Sequence, residues 1–158
     1  MLSFSSRART AAILIAAVVM IQTADAQTKS AAAKPHLDVY KTPNCGCCSK
    51  WVEQMEASGF TAKATNMPDV GPIKQKNKVP ARLESCHTTL VGGYVIEGHV
   101  PAADIKRLLK ERPAIVGLAA PGMPAGSPGM DVPNSPPYEI VAFDKDGKTR
   151  VWATHTPK

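Results

Sequence analysis

Three of the chain's four cysteines fall within Cys45-Gly46-Cys47-Cys48, between a run that reads as a strand and one that reads as a helix. Leu37-Asp38-Val39-Tyr40-Lys41 alternates apolar and polar side chains, the period of a half-buried strand. Thr42-Pro43-Asn44 ends it, because Pro43 cannot donate a ladder hydrogen bond. Beyond the motif, Trp51, Val52 and Met55 recur at helical spacing and Gly59 supplies a helix stop. The cysteines are therefore expected at or just before a helix N-terminus, where unpaired N–H groups and the helix dipole favour a thiolate. Cys45 and Cys48 form a C-x-x-C pair with Cys47 as a third sulfur beside them, a pattern suited to soft-metal or thiol redox chemistry.

Four cysteines in an exported chain would ordinarily be two structural disulfides. Here Cys47 and Cys48 are adjacent and Cys45 is two positions away, so bridges within the cluster would close very small loops. Such loops remove little unfolded-state entropy and strain the backbone. Cys86 is the one distant partner and can staple only one of the three, which leaves at least two sulfurs for chemistry.

Export is expected from the N-terminus. Arg7 and Arg9 precede an uninterrupted apolar run of 11 residues, Ala11 to Ile21, and Ala24-Asp25-Ala26 follows as a cleavage site. The run is shorter than the roughly 17–25 residues of a membrane span. Residues 1–26 thus read as a signal peptide, 27–35 as a disordered polar leader and 36–158 as one domain, periplasmic and with no membrane anchor after cleavage. Removing Arg7, Arg9 and Asp25 lowers the formal net charge from +6 to +5. The densest basic stretch, Lys74-Gln75-Lys76-Asn77-Lys78, has no interleaved aromatic residues for stacking on bases, so it reads as a solvated face and not as a nucleic-acid surface.

A coarse pass places a second strand over Thr61–Asn66 and a short helix near Val70–Lys76. A hairpin runs from Leu83–Val91 through Gly92-Gly93 to Tyr94–Glu97, and an amphipathic helix covers Ala102–Arg112. The order β, Cys-rich turn, α, β, α, β-hairpin, α is that of an α/β thioredoxin-like domain, and a C-x-x-C at the end of the first strand is the usual signal for it. Ile115 to Met130 carries too much Gly and Pro for a helix or a central strand and is expected as an added Gly/Pro/Met-rich loop. Its Met123 and Met130 either pack the loop onto the domain or offer soft thioether ligands. Tyr138–Phe143 and Thr149–Ala153 around Asp146-Gly147 read as a C-terminal β-hairpin. Trp51, Trp152 and Tyr94 are expected in the core, and His36 and His155, near the chain ends, have no assigned role.

Tyr40-Lys41-Thr42-Pro43-Asn44-Cys45-Gly46-Cys47-Cys48, Ser85-Cys86-His87-Thr88, Gly93 to Pro101 and Gly117 to Pro124 occur together and in order. In these stretches, and over roughly Leu37 to the C-terminus, the chain resembles the CopG family of periplasmic copper-resistance proteins, long filed as a domain of unknown function. The resemblance implies a thioredoxin-like fold that binds copper as a cysteine-bridged cluster and takes part in copper oxidation-state chemistry.

The residue types agree with that implication on their own terms. Copper(I) prefers thiolate and thioether sulfur, and imidazole tolerates both copper oxidation states. Structural zinc sites draw paired cysteines from two knuckles, whereas Cys86 has no second cysteine near it. The expected metal ligands are Cys45, Cys47, Cys48 and Cys86, with His87, His99, Met123 and Met130 as further candidates. Four thiolates carry charge enough for several copper(I) ions. Cys45 and Cys48 are also the redox pair: their closure into a disulfide supplies two electrons. Three functions remain open: a copper-binding protein of copper resistance that interconverts Cu(I) and Cu(II), a thiol–disulfide oxidoreductase acting on proteins, and a passive copper buffer or chaperone. Copper ions and other periplasmic copper-handling proteins are the expected partners.

Overall fold

Alternation of buried and exposed side chains in β1 (His36–Lys41) places Leu37, Val39 and Lys41 on one face, and this strand is second from one edge of a seven-stranded sheet. The computed structural model describes residues 33–157, so the expected signal peptide and most of the expected leader lie outside the described residues. The elements that follow β1 are α1 (Gly46–Ala57), β2 (Thr61–Asn66), α2 (Gly71–Lys76), a 3-10 turn (Ala81–Leu83), β3 (His87–Val91), β4 (Tyr94–Glu97), α3 (Ala102–Glu111), β5 (Gly117–Ala119), β6 (Tyr138–Phe143) and β7 (Thr149–His155). The strand order is β2-β1-β3-β4-β5-β6-β7. β1 runs parallel to β2 and β4 parallel to β5, and the other neighbours are antiparallel. The mixed α/β architecture and the C-terminal hairpin match expectation.

Because strand side chains alternate between faces, β4 feeds two cores. Ile96 joins Leu37, Val39, Trp51, Met55, Ile105, Leu108, Leu118 and Ile140 on the face covered by α1 and α3. Val95 joins Val79, Leu83, Ala119 and Phe143 on the opposite face. Trp51 is fully buried and donates its indole N–H to the Val100 carbonyl at 3.0 Å, tying α1 to the segment that enters α3. Tyr94 is core as expected and donates its hydroxyl to the Pro113 carbonyl at 2.9 Å. Tyr94→Phe removes that bond, while the Pro113 carbonyl keeps the Ile115 N–H at 2.9 Å, and is expected to lower stability by about 1 kcal/mol, read as a shifted denaturant midpoint with an unchanged slope.

Three expectations need correction. The stretch expected to be loop throughout contains β5, which is inserted between β4 and β6. Glycine allows this: a Cβ on Gly117 would lie 1.9 Å from the Val95 carbonyl oxygen, so only a bare Cα lets the strands approach. The basic stretch expected to be solvated turns Lys74 inward, where it is 6% exposed against Glu97 and Thr88. His155 is no loose terminal residue. It ends β7 and bonds Asp104 of α3 at 2.6 Å, beside the Trp152 indole N–H that reaches the same carboxylate at 3.1 Å. Among the described residues no helix is long and apolar enough to cross a membrane.

Candidate metal centre

At the end of β1 the chain turns through Thr42-Pro43-Asn44, and Cys45 becomes the residue that precedes α1, with its N–H on the Thr42 carbonyl at 3.3 Å. Gly46, Cys47 and Cys48 then form the first turn of the helix. Cys48 is fully buried, whereas Cys45 and Cys47 are half-buried at the surface. Cys45 and Cys48 are joined as a disulfide, and Cys47 Sγ lies 3.5 Å from Cys45 Sγ. Cys86 arrives just before the adjacent strand. β3 pairs antiparallel with β1, with His87 opposite Lys41, so the residue just before β3 faces the residues just after β1. A separation of about 40 residues in sequence is thereby closed by one strand pairing.

The four sulfurs of Cys45, Cys47, Cys48 and Cys86 all lie within 4.8 Å of one another. A second set, Cys48, Cys86, His87 and His99, meets the same limit and shares two sulfurs with the first. The site is thus a sulfur patch flanked by two imidazoles, with Cys48 and Cys86 common to both halves. His87 and His99 are fully buried, their rings 5.1 Å apart, and His87 lies 4.6 Å from Trp51. Cys86 Sγ is 3.4 Å from His87 Nδ1 and 2.9 Å from His99 Nε2.

The protonation states follow from burial and partners. Burial holds His87 well below the usual histidine range, and the neighbouring His99, Lys74 and Lys41 push the same way. Burial also lowers His99, against a hydrogen bond to the Pro128 carbonyl that favours its charged form. Both rings are therefore neutral at pH 7, the form that ligates metal. The bond to Pro128 at 2.7 Å needs the proton on His99 Nδ1, which leaves the lone pair of Nε2 pointing at Cys86. Burial, reinforced by Cys47, pushes the Cys86 thiol up to about 12. Cys86 thus donates its S–H to His99, and a metal ion must displace that proton. His87 Nε2 is buried with no hydrogen-bond partner among the described residues, which leaves it free for a ligand.

The structure brings together six of the eight expected ligands. The Gly/Pro/Met-rich loop lies beside them, since a Cβ on Gly129 would meet the Cys47 carbonyl oxygen and the Trp51 nitrogen. Its methionines differ in setting: Met123 is 40% exposed at φ 55°, and Met130 is half-buried. Residue patterns missed the Pro128 carbonyl that sets the His99 tautomer, because a backbone acceptor leaves no mark in the sequence. They also missed Glu97, whose faint signal is an acid ending a short apolar strand.

The family model described as "Protein of unknown function, DUF411" matches residues 83–130, which hold Cys86, His87, His99 and both loop methionines. No curated protein matches the chain. Two solved structures do, both titled copper resistance protein copG. Form 2 is 40% identical with a TM-score of 0.74 over 78% of this chain and 99% of that one. Form 1 is 41% identical with a TM-score of 0.73 over 79% and 100%. At that identity over the full length of those structures, the chain belongs to the CopG-like DUF411 family.

Proposed function

We propose that the protein binds copper(I) through Cys45, Cys47, Cys48 and Cys86, with His87 and His99 completing the site, as part of periplasmic copper resistance. The observation that carries this reading is the convergence of four sulfurs within 4.8 Å, with two neutral imidazoles sharing two of them. Soft thiolates select copper(I) over harder ions, and imidazole also accepts copper(II). The likeness to proteins titled copper resistance protein supports copper over other soft metals. The four-stranded part of the sheet ordered β2-β1-β3-β4, with β3 antiparallel to the rest and Cys45 following β1, supports a thioredoxin-like ancestry for the scaffold. We assign the 1–26 segment to export and Met123 and Met130 to accessory soft contacts.

The redox part of the proposal balances with the residues present. Oxidation of the Cys45 and Cys48 thiols to a disulfide releases two electrons and two protons, and these electrons reduce two copper(II) ions to copper(I). Cys47 and Cys86 remain free in that state. A thiol–disulfide oxidoreductase acting on proteins is the second reading, favoured by the closed Cys45–Cys48 bond. The fully buried Cys48 and the crowding by Cys47 argue against exchange with a bulky partner.

Anaerobic titration of the reduced mature protein with copper(I), in the presence of competing zinc, tests the assignment. More than one tightly held copper(I) per chain is expected. Protons should be released as it binds, because Cys86 is a thiol at every pH below about 12. Each unit of pH rise should therefore tighten binding by about tenfold for each displaced proton, while the already neutral histidines add no further dependence near pH 7. A protein that retains no copper, yet cycles its disulfide with a reductant, would move the assignment to the second reading.

A further inference from the structure

Behind the site, on the face of the sheet opposite α1, lies a buried ionic cluster that the copper reading does not use. Glu97 is fully buried at the end of β4 and Lys74 of α2 is 6% exposed, and the two form an ion pair. Every oxygen of the carboxylate is committed. Oε1 accepts the backbone N–H of Ser85 at 2.6 Å as well as the Lys74 ammonium, and Oε2 accepts the Thr88 hydroxyl at 2.7 Å. Lys74 also donates to Thr88 Oγ1 at 3.2 Å. Ser85 and Thr88 are the residues on either side of Cys86-His87. One carboxylate therefore grips the chain immediately before and immediately after the two ligands.

The neighbouring residues of β4 extend the grip. Gly98 donates its N–H to the His87 carbonyl at 2.9 Å, and a Cβ at Gly98 would lie 2.3 Å from Ser85 Oγ, so a side chain there would push the Ser85 segment away. His99 then receives Cys86 Sγ. Glu97-Gly98-His99 thus seats Ser85-Cys86-His87 by a charge, a gap and a lone pair in turn. A buried ion pair is a poor way to add stability, because well-packed apolar side chains serve as well. What the carboxylate offers here is two directional acceptances, one on each side of one dipeptide, with Lys74 holding the carboxylate in place.

We propose that Glu97, held by Lys74, is a positioning residue that fixes Cys86 and His87 against the three cysteines of α1. The copper arm of its test rests on the copper(I)–thiolate reading, and the thiol arm does not. The thiol arm uses full-length mature protein with the Cys45–Cys48 disulfide closed, so that Cys47 and Cys86 are free. Alkylation by iodoacetamide is mapped by mass, with Cys47 as the internal reference. In Lys74→Met/Glu97→Leu, which removes the charges and the grip together, the Cys86 to Cys47 rate ratio should rise about tenfold, and copper(I) affinity of the reduced protein should fall about tenfold. In Lys74→Met/Glu97→Gln the amide oxygen still accepts the Ser85 N–H, and both quantities should stay within about 1.5-fold of wild type. Should the apolar pair fail to fold, Thr88→Val decides the matter. It cuts one grip and leaves the ion pair, and should raise the ratio about threefold. Wild-type ratios in the apolar pair, or in Thr88→Val where that variant decides, overturn the proposal. Wild-type protein that binds no copper counts against the copper reading alone, because the alkylation ratio still judges Glu97.

Discussion

Cys86→Ser is expected to lower copper(I) affinity by about a thousandfold, equivalent to about 4 kcal/mol, as severely as Cys48→Ser and more severely than Cys45→Ser or Cys47→Ser. The ranking comes from shared membership. Cys48 and Cys86 belong both to the four-sulfur set and to the set with His87 and His99, whereas Cys45 and Cys47 belong only to the first. A serine oxygen is a hard, poorly ionised donor that copper(I) does not favour over water. Losing a shared sulfur therefore weakens both halves, and losing an unshared one leaves the sulfur–imidazole half intact. Competition against a chromophoric copper(I) chelator measures the affinity, and thermal unfolding of the apo variant checks that the fold persists. Unchanged binding in Cys86→Ser would remove Cys86 from the ligand set and with it the four-cysteine site.

Much of this arrangement was legible in the residues, and the limits were physical. Periodicity located β1, α1 and α3 because each has one buried face, and Cys45-Gly46-Cys47-Cys48 stood out as a candidate site through residue type alone. β5 was hidden because a strand admitted by a missing Cβ carries Gly and Ala, the composition of a loop, and only the approach of Val95 explains Gly117. Lys74 was misread because a lysine in a run of lysines looks solvated, and its partner Glu97 lies 23 residues away in the chain. The convergence of Cys86 on the α1 cysteines depends on the β1–β3 register, a long-range pairing that local pattern does not encode. The candidate ligands were thus readable as residue types, but the geometry that brings six of them together was not.

The loop that lies beside the cysteines gives the other large expected effect: Gly129→Ala should lower stability by about 3 kcal/mol and copper(I) affinity by 10- to 100-fold. Gly129 has φ 80°, and a Cβ there would lie 2.6 Å from the Cys47 carbonyl oxygen and 2.9 Å from the Trp51 nitrogen. Both are backbone atoms of α1, so neither yields by rotating a side chain, and the loop must lift. Its own bonds make it move as a unit. Gly126 N–H reaches the Met130 carbonyl at 2.7 Å, Met130 N–H reaches Ser127 at 2.8 Å, and the buried Ser127 hydroxyl reaches Pro124 at 2.6 Å. Pro128 travels with it and takes away the acceptor of His99 Nδ1. The His99 proton is then free to sit on Nε2, where it blocks the lone pair that faces Cys86. Nitrogen-15 correlation spectra of the imidazole report that tautomer directly, in a copper(I) protein that is diamagnetic. Gly122→Ala is the control, since its φ of 68° brings comparable strain with nothing within 4 Å of the added carbon. It should cost about 1 kcal/mol and leave both the tautomer and the affinity unchanged. If the two variants lose affinity alike, backbone strain in the loop and not contact with α1 is responsible, and the loop has no part in setting His99.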